Sequence, residues 1–211
     1  MTSTAFACLC DRTHQTRRVV LTGGPGAGKT AVLELVRATA CRHVRVLPEA
    51  ASILFGGGFP RRDGFEERRA AQRALFHVQR ELETLGEIEG AAIMLCDRGT
   101  VDGLAYWPGD PGDLWAAVHS SLKAEQQRYA AVIHLQTPSE GVGYNHANPI
   151  RTETARAAAL IDARITEVWA GHPRVTTIPA SDDFLVKANA ALDVIRSELP
   201  GCCRLHVVPA G

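Results

Sequence analysis

The octapeptide Gly23-Gly24-Pro25-Gly26-Ala27-Gly28-Lys29-Thr30 constrains this chain more than any other feature of it. A short apolar run, Arg18-Val19-Val20-Leu21-Thr22, precedes it, and a stretch with apolar residues at helical spacing (Val32, Leu33, Leu35, Val36) follows. Strand, glycine-rich turn and helix start, in that order, converge backbone N–H groups on one point. Glycine tolerates positive φ and puts no side chain in the way. The helix N-terminus adds partial positive charge. Such a cradle suits a polyphosphate. Lys29 is expected to reach the β- and γ-phosphates and Thr30 to place its hydroxyl on Mg²⁺, so residues 23–30 together are expected to bind ATP.

The rest of the chain fits a domain built around that loop. Short apolar runs at residues 44–47, 91–96, 130–135 and 174–178 alternate with helical patterns at 29–40, 65–87, 114–129, 152–170 and 183–199. This alternation predicts a three-layer α/β/α P-loop fold with a mostly parallel five-stranded sheet. The apolar fraction of 45% supplies a core for one domain of this length. We expect a flexible N-terminus over 1–16, the domain over 17–199 and a loose tail over 200–211, where 205–208 could add an edge strand. Twenty-three basic residues cancel twenty-three acidic ones, which argues against a nucleic-acid or membrane-surface partner. No signal-like or membrane-spanning run is present, and the six cysteines read as reduced thiols, so a cytoplasmic location is expected. Cys8-x-Cys10 lacks zinc-ligand spacing, Cys41 and Cys96 read as core, and His77, His134 and His172 show no ligand spacing.

Two carboxylates and an arginine flank the cradle. Asp97 ends the buried run 91–96, at the carboxyl edge where open α/β sheets bind ligands, and is the natural metal-side acid. Glu49 ends the second strand, in Leu47-Pro48-Glu49-Ala50, and is the expected base for an attacking hydroxyl. A turn aspartate and a helix-start glutamate are the plainer alternatives. Arg98 follows Asp97, where ring-forming ATPases usually carry a water-activating glutamate. An arginine there suits a transferring phosphoryl group. The Asn-Lys-x-Asp signature of GTP-specific proteins is absent from the sequence.

The glycine loop, the strand-two Glu49 and the Asp97-Arg98 pair resemble the nucleoside and nucleotide kinase group of P-loop proteins. Phe76-His77-Val78-Gln79 resembles the Phe-x-x-Gln of deoxyribonucleoside kinases, which implies that Gln79 reads a base. The wider pattern is similar to small predicted bacterial ATPases related to ribosylnicotinamide kinase domains. It comprises Gly23 to Thr30, Pro48-Glu49-Ala50, Asp97-Arg98-Gly99 with Asp102, and Tyr144 ahead of Arg151-Thr152-Glu153. The resemblance spans nearly residues 17–199. Gly99 departs from the Ser or aromatic residue that follows Asp-Arg in the better-known kinases.

A mobile lid is expected over about 137–156, with Arg151, favoured over Arg156, reaching the transferring phosphate; a surface ion pair with Glu153 is the alternative. The acceptor pocket is expected between residues 56–64, the helix bearing Gln79 and residues 102–107. Phe55, Phe59, Tyr106 and Trp107 are candidates to stack on a ring, Gln79 and Asp102 to bond it, and Arg61 and Arg62 to grip a phosphate or lie in solvent. The function expected is an ATP- and Mg²⁺-dependent kinase acting on the hydroxyl of a nucleoside-like or other ring-bearing metabolite. The catalytic set is Lys29, Glu49, Asp97, Arg98, Arg151 and Arg156, with metal on Thr30 and Asp97. An ATP-hydrolysing switch acting through a protein partner, or an antibiotic-modifying phosphotransferase, are the alternatives.

Overall fold

The computed structural model describes Cys10, residues 13–138 and residues 155–204. Five strands, β1 (Arg17–Thr22), β2 (Val44–Leu47), β3 (Ile93–Asp97), β4 (Ala131–Leu135) and β5 (Val175–Ile178), form one sheet in the order β2-β3-β1-β4-β5. Every pairing is parallel. Among the described residues, helices α1 (Lys29–Thr39), α2 (Ala50–Gly56), α3 (Phe65–Ile88), α4 (Pro111–Ala117), α5 (Leu122–Gln126), α6 (Ala155–Trp169) and α7 (Phe184–Glu198), with a 3-10 helix at Thr100–Ala105, accompany the sheet.

The period-2 geometry of a strand divides the core in two. Val19, Leu21, Ile93, Leu95, Ile133 and Leu135 face Val32, Leu33 and Val36 of α1 and Ala188, Ala191, Leu192 and Ile195 of α7. The alternate residues Val20, Met94, Cys96 and Val132 face Ile165 and Trp169 of α6, Tyr129 and the partly buried Leu82 of α3. Both faces of the central strands are covered, which is why residues 91–96 read as unbroken apolar sequence.

Three expectations change. The single helix expected over 114–129 is two. Asp110 caps α4 through its bond from Gly112 N (2.6 Å), His119 takes a left-handed backbone (φ 51°), and Ser121 caps α5 through Ala124 N (3.2 Å). Second, residues 50–56 form a helix that the sequence patterns do not predict, α2, which Glu49 opens as the N-cap position. Third, the described parts of the two chain ends are packed. Thr16 Oγ1 donates to Ala91 O (2.7 Å), and Cys203 is fully buried. The lid residues Tyr144, Arg151 and Glu153, and the expected edge strand at 205–208, lie outside the described residues. No helix among the described residues is long and apolar enough to cross a membrane.

Candidate functional site

The turn after β1 is built for close approach. Gly23, Gly26 and Gly28 have φ of 142°, 82° and 94°, a region that side chains rarely enter. A Cβ on Gly23 would collide with the carbonyl oxygen of Leu135 on β4. Gly28 is the N-cap position of α1 and offers no side-chain cap, so the first N–H groups of α1 stay open to a ligand. Lys29 is buried, and its Nζ donates to the loop's own carbonyls, Gly23 O (2.9 Å) and Gly24 O (3.3 Å). Burial first, then the charge of Arg98, lowers its pKa to about 8, against the pull of Asp97, Glu49 and Asp102.

Two residues that the sequence reading passed over brace this turn from behind. Asp162 of α6 accepts from Gly24 N (2.7 Å), Thr137 N (3.2 Å) and Thr137 Oγ1 (3.3 Å), and pairs with His134 Nε2 (3.0 Å). Burial works to raise its pKa, but the His134 contact and these N–H donors outweigh that and hold it low. Lys187 of α7 donates to Ala27 O (2.8 Å) and Gln136 O (2.6 Å). The scarcity of lysine in the chain was the available signal for Lys187. Nothing local in the sequence marks Asp162.

Parallel register sets the carboxylates beside the turn. Leu21 of β1 pairs with Asp97 of β3, and Leu47 of β2 with Cys96. Glu49 and Asp97 therefore reach the same sheet edge. Asp97 Oδ1 is buried with no hydrogen-bond partner, and burial raises the carboxyl's pKa despite nearby Lys29. Arg98 Nε donates to Glu49 Oε1 (3.1 Å), while its Nη1 is buried and unpaired. Burial opposes the charge on Arg98, but Tyr106, Asp102, Glu49 and Asp97 overcome it and raise its pKa. Glu49 shows the reverse. Burial would raise it, but Arg98, a bond from Ser52 Oγ (2.7 Å) and Lys29 bring it below the ordinary value. At neutral pH the edge thus presents a carboxylate, a guanidinium and two unsatisfied buried atoms, an arrangement that an oxyanion and a hydrated cation would complete.

These groups line one end of a cleft of about 640 Å³, whose other end runs between α2, α3 and residues 99–106. The chain matches the family described as AAA domain over residues 18–184, from β1 to the first residue of α7. It belongs to that family. A search of curated proteins finds no match.

Within this AAA domain, Pro25, Gly26, Lys29, Thr30, Glu49, Asp97 and Arg98 all line the cleft, as do Phe55, Arg61, Arg62, Gln79 and Tyr106. Of the four expected aromatics, Phe55 and Tyr106 line the cleft and two do not. Phe59 is not among the lining residues; it stacks edge-on against Phe55 at 6.3 Å between centroids. Trp107 is core, its Nε1 donating to Asp110 O (2.9 Å). Asp102 touches the cleft but its carboxylate is consumed internally, by Thr22 Oγ1, by Gly99 N (2.6 Å) and by Trp169 Nε1 (3.3 Å), so it braces the turn after β3. Gln79 Nε2 is held by buried Glu83 (2.9 Å), which also accepts from Tyr129 and Arg128 (2.8 and 2.5 Å). Arg156 is exposed in the first turn of α6 and is not among the lining residues.

Proposed function

We propose that this protein is an ATP-dependent small-molecule kinase that moves the γ-phosphoryl group to a hydroxyl of a nucleoside-like or other ring-bearing metabolite. One observation carries the reading. The cleft does not stop at the phosphate cradle but continues past the Glu49–Arg98 pair to a second compartment walled by Phe55 and Tyr106, with Gln79 in its lining. A protein that only hydrolyses ATP needs no such space.

In this reading residues 23–30 cradle the triphosphate, and Lys29 leaves the carbonyls of Gly23 and Gly24 for the phosphates. Thr30 and Asp97 would hold magnesium, and unpaired Asp97 Oδ1 is the atom that fits it. When bound, the ion screens phosphate charge. Arg98 turns its unpaired Nη1 to the transferring group. That movement weakens its hold on Glu49, whose depressed pKa otherwise makes it a poor base. Glu49 takes the proton from the acceptor hydroxyl, the hydroxyl oxygen forms its bond to phosphorus, and the electrons of the broken P–O bond remain on ADP. Arg61 and Arg62 at the acceptor end favour a substrate with an anionic substituent.

The AAA family itself favours a second reading, hydrolysis coupled to a partner protein. Arg98 stands against it, because a water-activating glutamate is expected at that position. The two readings separate when purified protein, ATP and Mg²⁺ are offered nucleosides, other ribosides and hydroxylated antibiotics, with products weighed by mass spectrometry. A phosphorylated acceptor supports the kinase. Steady phosphate release that no acceptor alters overturns it.

A further inference from the structure

The amino-terminal edge of the sheet, opposite the cleft, gathers cysteines and histidines from three separate parts of the chain. Cys41 lies between α1 and β2, His43 directly precedes β2, Cys203 follows α7, and His14 lies on the segment leading into β1. Cys41, His43 and Cys203 are all buried, with their ligating atoms within 4.8 Å of one another. We propose that these residues form a structural zinc site, with Cys41, His43 and Cys203 as three ligands and His14 as the fourth.

The geometry carries the assignment. With Zn–S near 2.3 Å and Zn–N near 2.0–2.1 Å, a tetrahedron sets sulfur and nitrogen about 3.5 Å apart and two sulfurs about 3.8 Å apart. His43 Nδ1 lies 3.3 Å from Cys203 Sγ and 3.9 Å from Cys41 Sγ. A plain apolar core explains two buried thiols, but not an imidazole, His43, whose Nδ1 is turned to both sulfurs. His14 falls within 4.8 Å of both Cys203 and His43, and its ring meets that of His43 edge-on at 5.0 Å. Cys202 and Cys10 are the rival fourth ligands, with Sγ 3.4 and 3.5 Å from His14 Nε2. Cys202 is exposed and groups only with Cys203 and His14, and half-buried Cys10 only with His14 and His43.

Two thiolates and two neutral imidazoles neutralise Zn²⁺, and the two thiol protons leave to solvent on binding. Burial, with Cys202 and Cys41 close by, pushes the Cys203 thiol well up, so without metal it stays protonated. The site ties the segment before β1 to the residues after α7 and to the start of β2. It is a staple across the chain's two ends, independent of catalysis.

The test uses the full untagged chain, purified under reducing conditions, with metal measured by elemental mass spectrometry. About one zinc per chain is expected. Cobalt substitution should give thiolate-to-cobalt charge transfer and tetrahedral d–d absorption. Cys41→Ser, Cys203→Ser and His14→Ala should lose stoichiometric metal, while Cys202→Ser and Cys96→Ser, the latter inside β3, should keep it. Circular dichroism checks that each variant is folded. Wild-type protein that takes up neither zinc nor cobalt, or that carries a Cys41–Cys203 disulfide by intact mass, overturns the site. Metal lost from Cys202→Ser but kept by His14→Ala overturns the fourth ligand.

Discussion

Arg98 occupies a left-handed backbone, with φ of 71°, which costs a non-glycine residue free energy that surrounding contacts must repay. Its N–H donates to Leu21 O (3.1 Å), and its side chain lies over Tyr106 and against Glu49. The strain points the guanidinium into the cleft rather than along the strand. Glu49, its partner, is the proposed base. Glu49→Gln keeps the side chain's shape and should leave ATP affinity nearly intact while cutting turnover by about two decades or more. Steady-state rates alongside nucleotide titration check this, and unchanged turnover removes Glu49 from the chemistry. Lys29 offers a pH signature. Its folded pKa of about 8 lies below the ordinary 10.5, so between those values the unfolded chain binds the extra proton. The resulting penalty on folding is present below about pH 8 and is relieved as pH rises through that window. Phosphate favours the ammonium, so through Lys29 nucleotide binding near pH 8 should take up about half a proton, and binding near about pH 6 almost none. Calorimetry in buffers of different ionisation enthalpy reads this directly, and Lys29→Met should abolish it.

At the scale of elements, the cleft depends on how closely β1, β3 and α6 meet. A Cβ on Gly99 would press on the ring of Trp169 at 2.9 Å and on Val20 at 3.0 Å. This accounts for the glycine after Asp97-Arg98, where the resembling kinases carry larger residues: α6 brings an indole into that space. Gly99→Ala should therefore lower stability by about 1–3 kcal/mol, whereas Gly56→Ala, with nothing within 4 Å of the added carbon, should be close to neutral in a thermal melt. Asp162 braces the phosphate loop from α6. Asp162→Asn removes the charge shared by Gly24, Thr137 and His134 and should weaken ATP binding by about tenfold, a loss of about 1.4 kcal/mol. The strands, α1, α3 and the phosphate loop were legible in the sequence because each carries a local signal, a hydrophobic period or a motif at fixed spacing. Asp162, the internal use of Asp102 and the absence of Phe59 from the cleft lining were not. Each depends on which distant segment packs against it, and no period in the chain encodes that.

Across the whole molecule, the parallel sheet has two unlike edges. The carboxyl ends of β1, β2 and β3 present open N–H groups, Glu49, Asp97 and Arg98 around a cleft. The opposite edge carries the thiol and imidazole cluster that joins the two chain ends. That cluster escaped the sequence reading for a physical reason. Apart from Cys41 and His43, which with one residue between them lack zinc-ligand spacing, its members are far apart along the chain, and only folding of the residues before β1 and after α7 brings them together. The central claim is that the turn after β1 wraps a nucleotide's phosphates facing Asp97 and Arg98. A crystal structure with Mg²⁺ and a non-hydrolysable ATP analogue tests it most directly. The β- and γ-phosphates are expected on the N–H groups of residues 23–30, with Lys29 Nζ moved off the Gly23 and Gly24 carbonyls and Arg98 Nη1 turned to the γ-phosphate. Nucleotide bound elsewhere, or Lys29 still folded onto its own loop with ligand present, would contradict it.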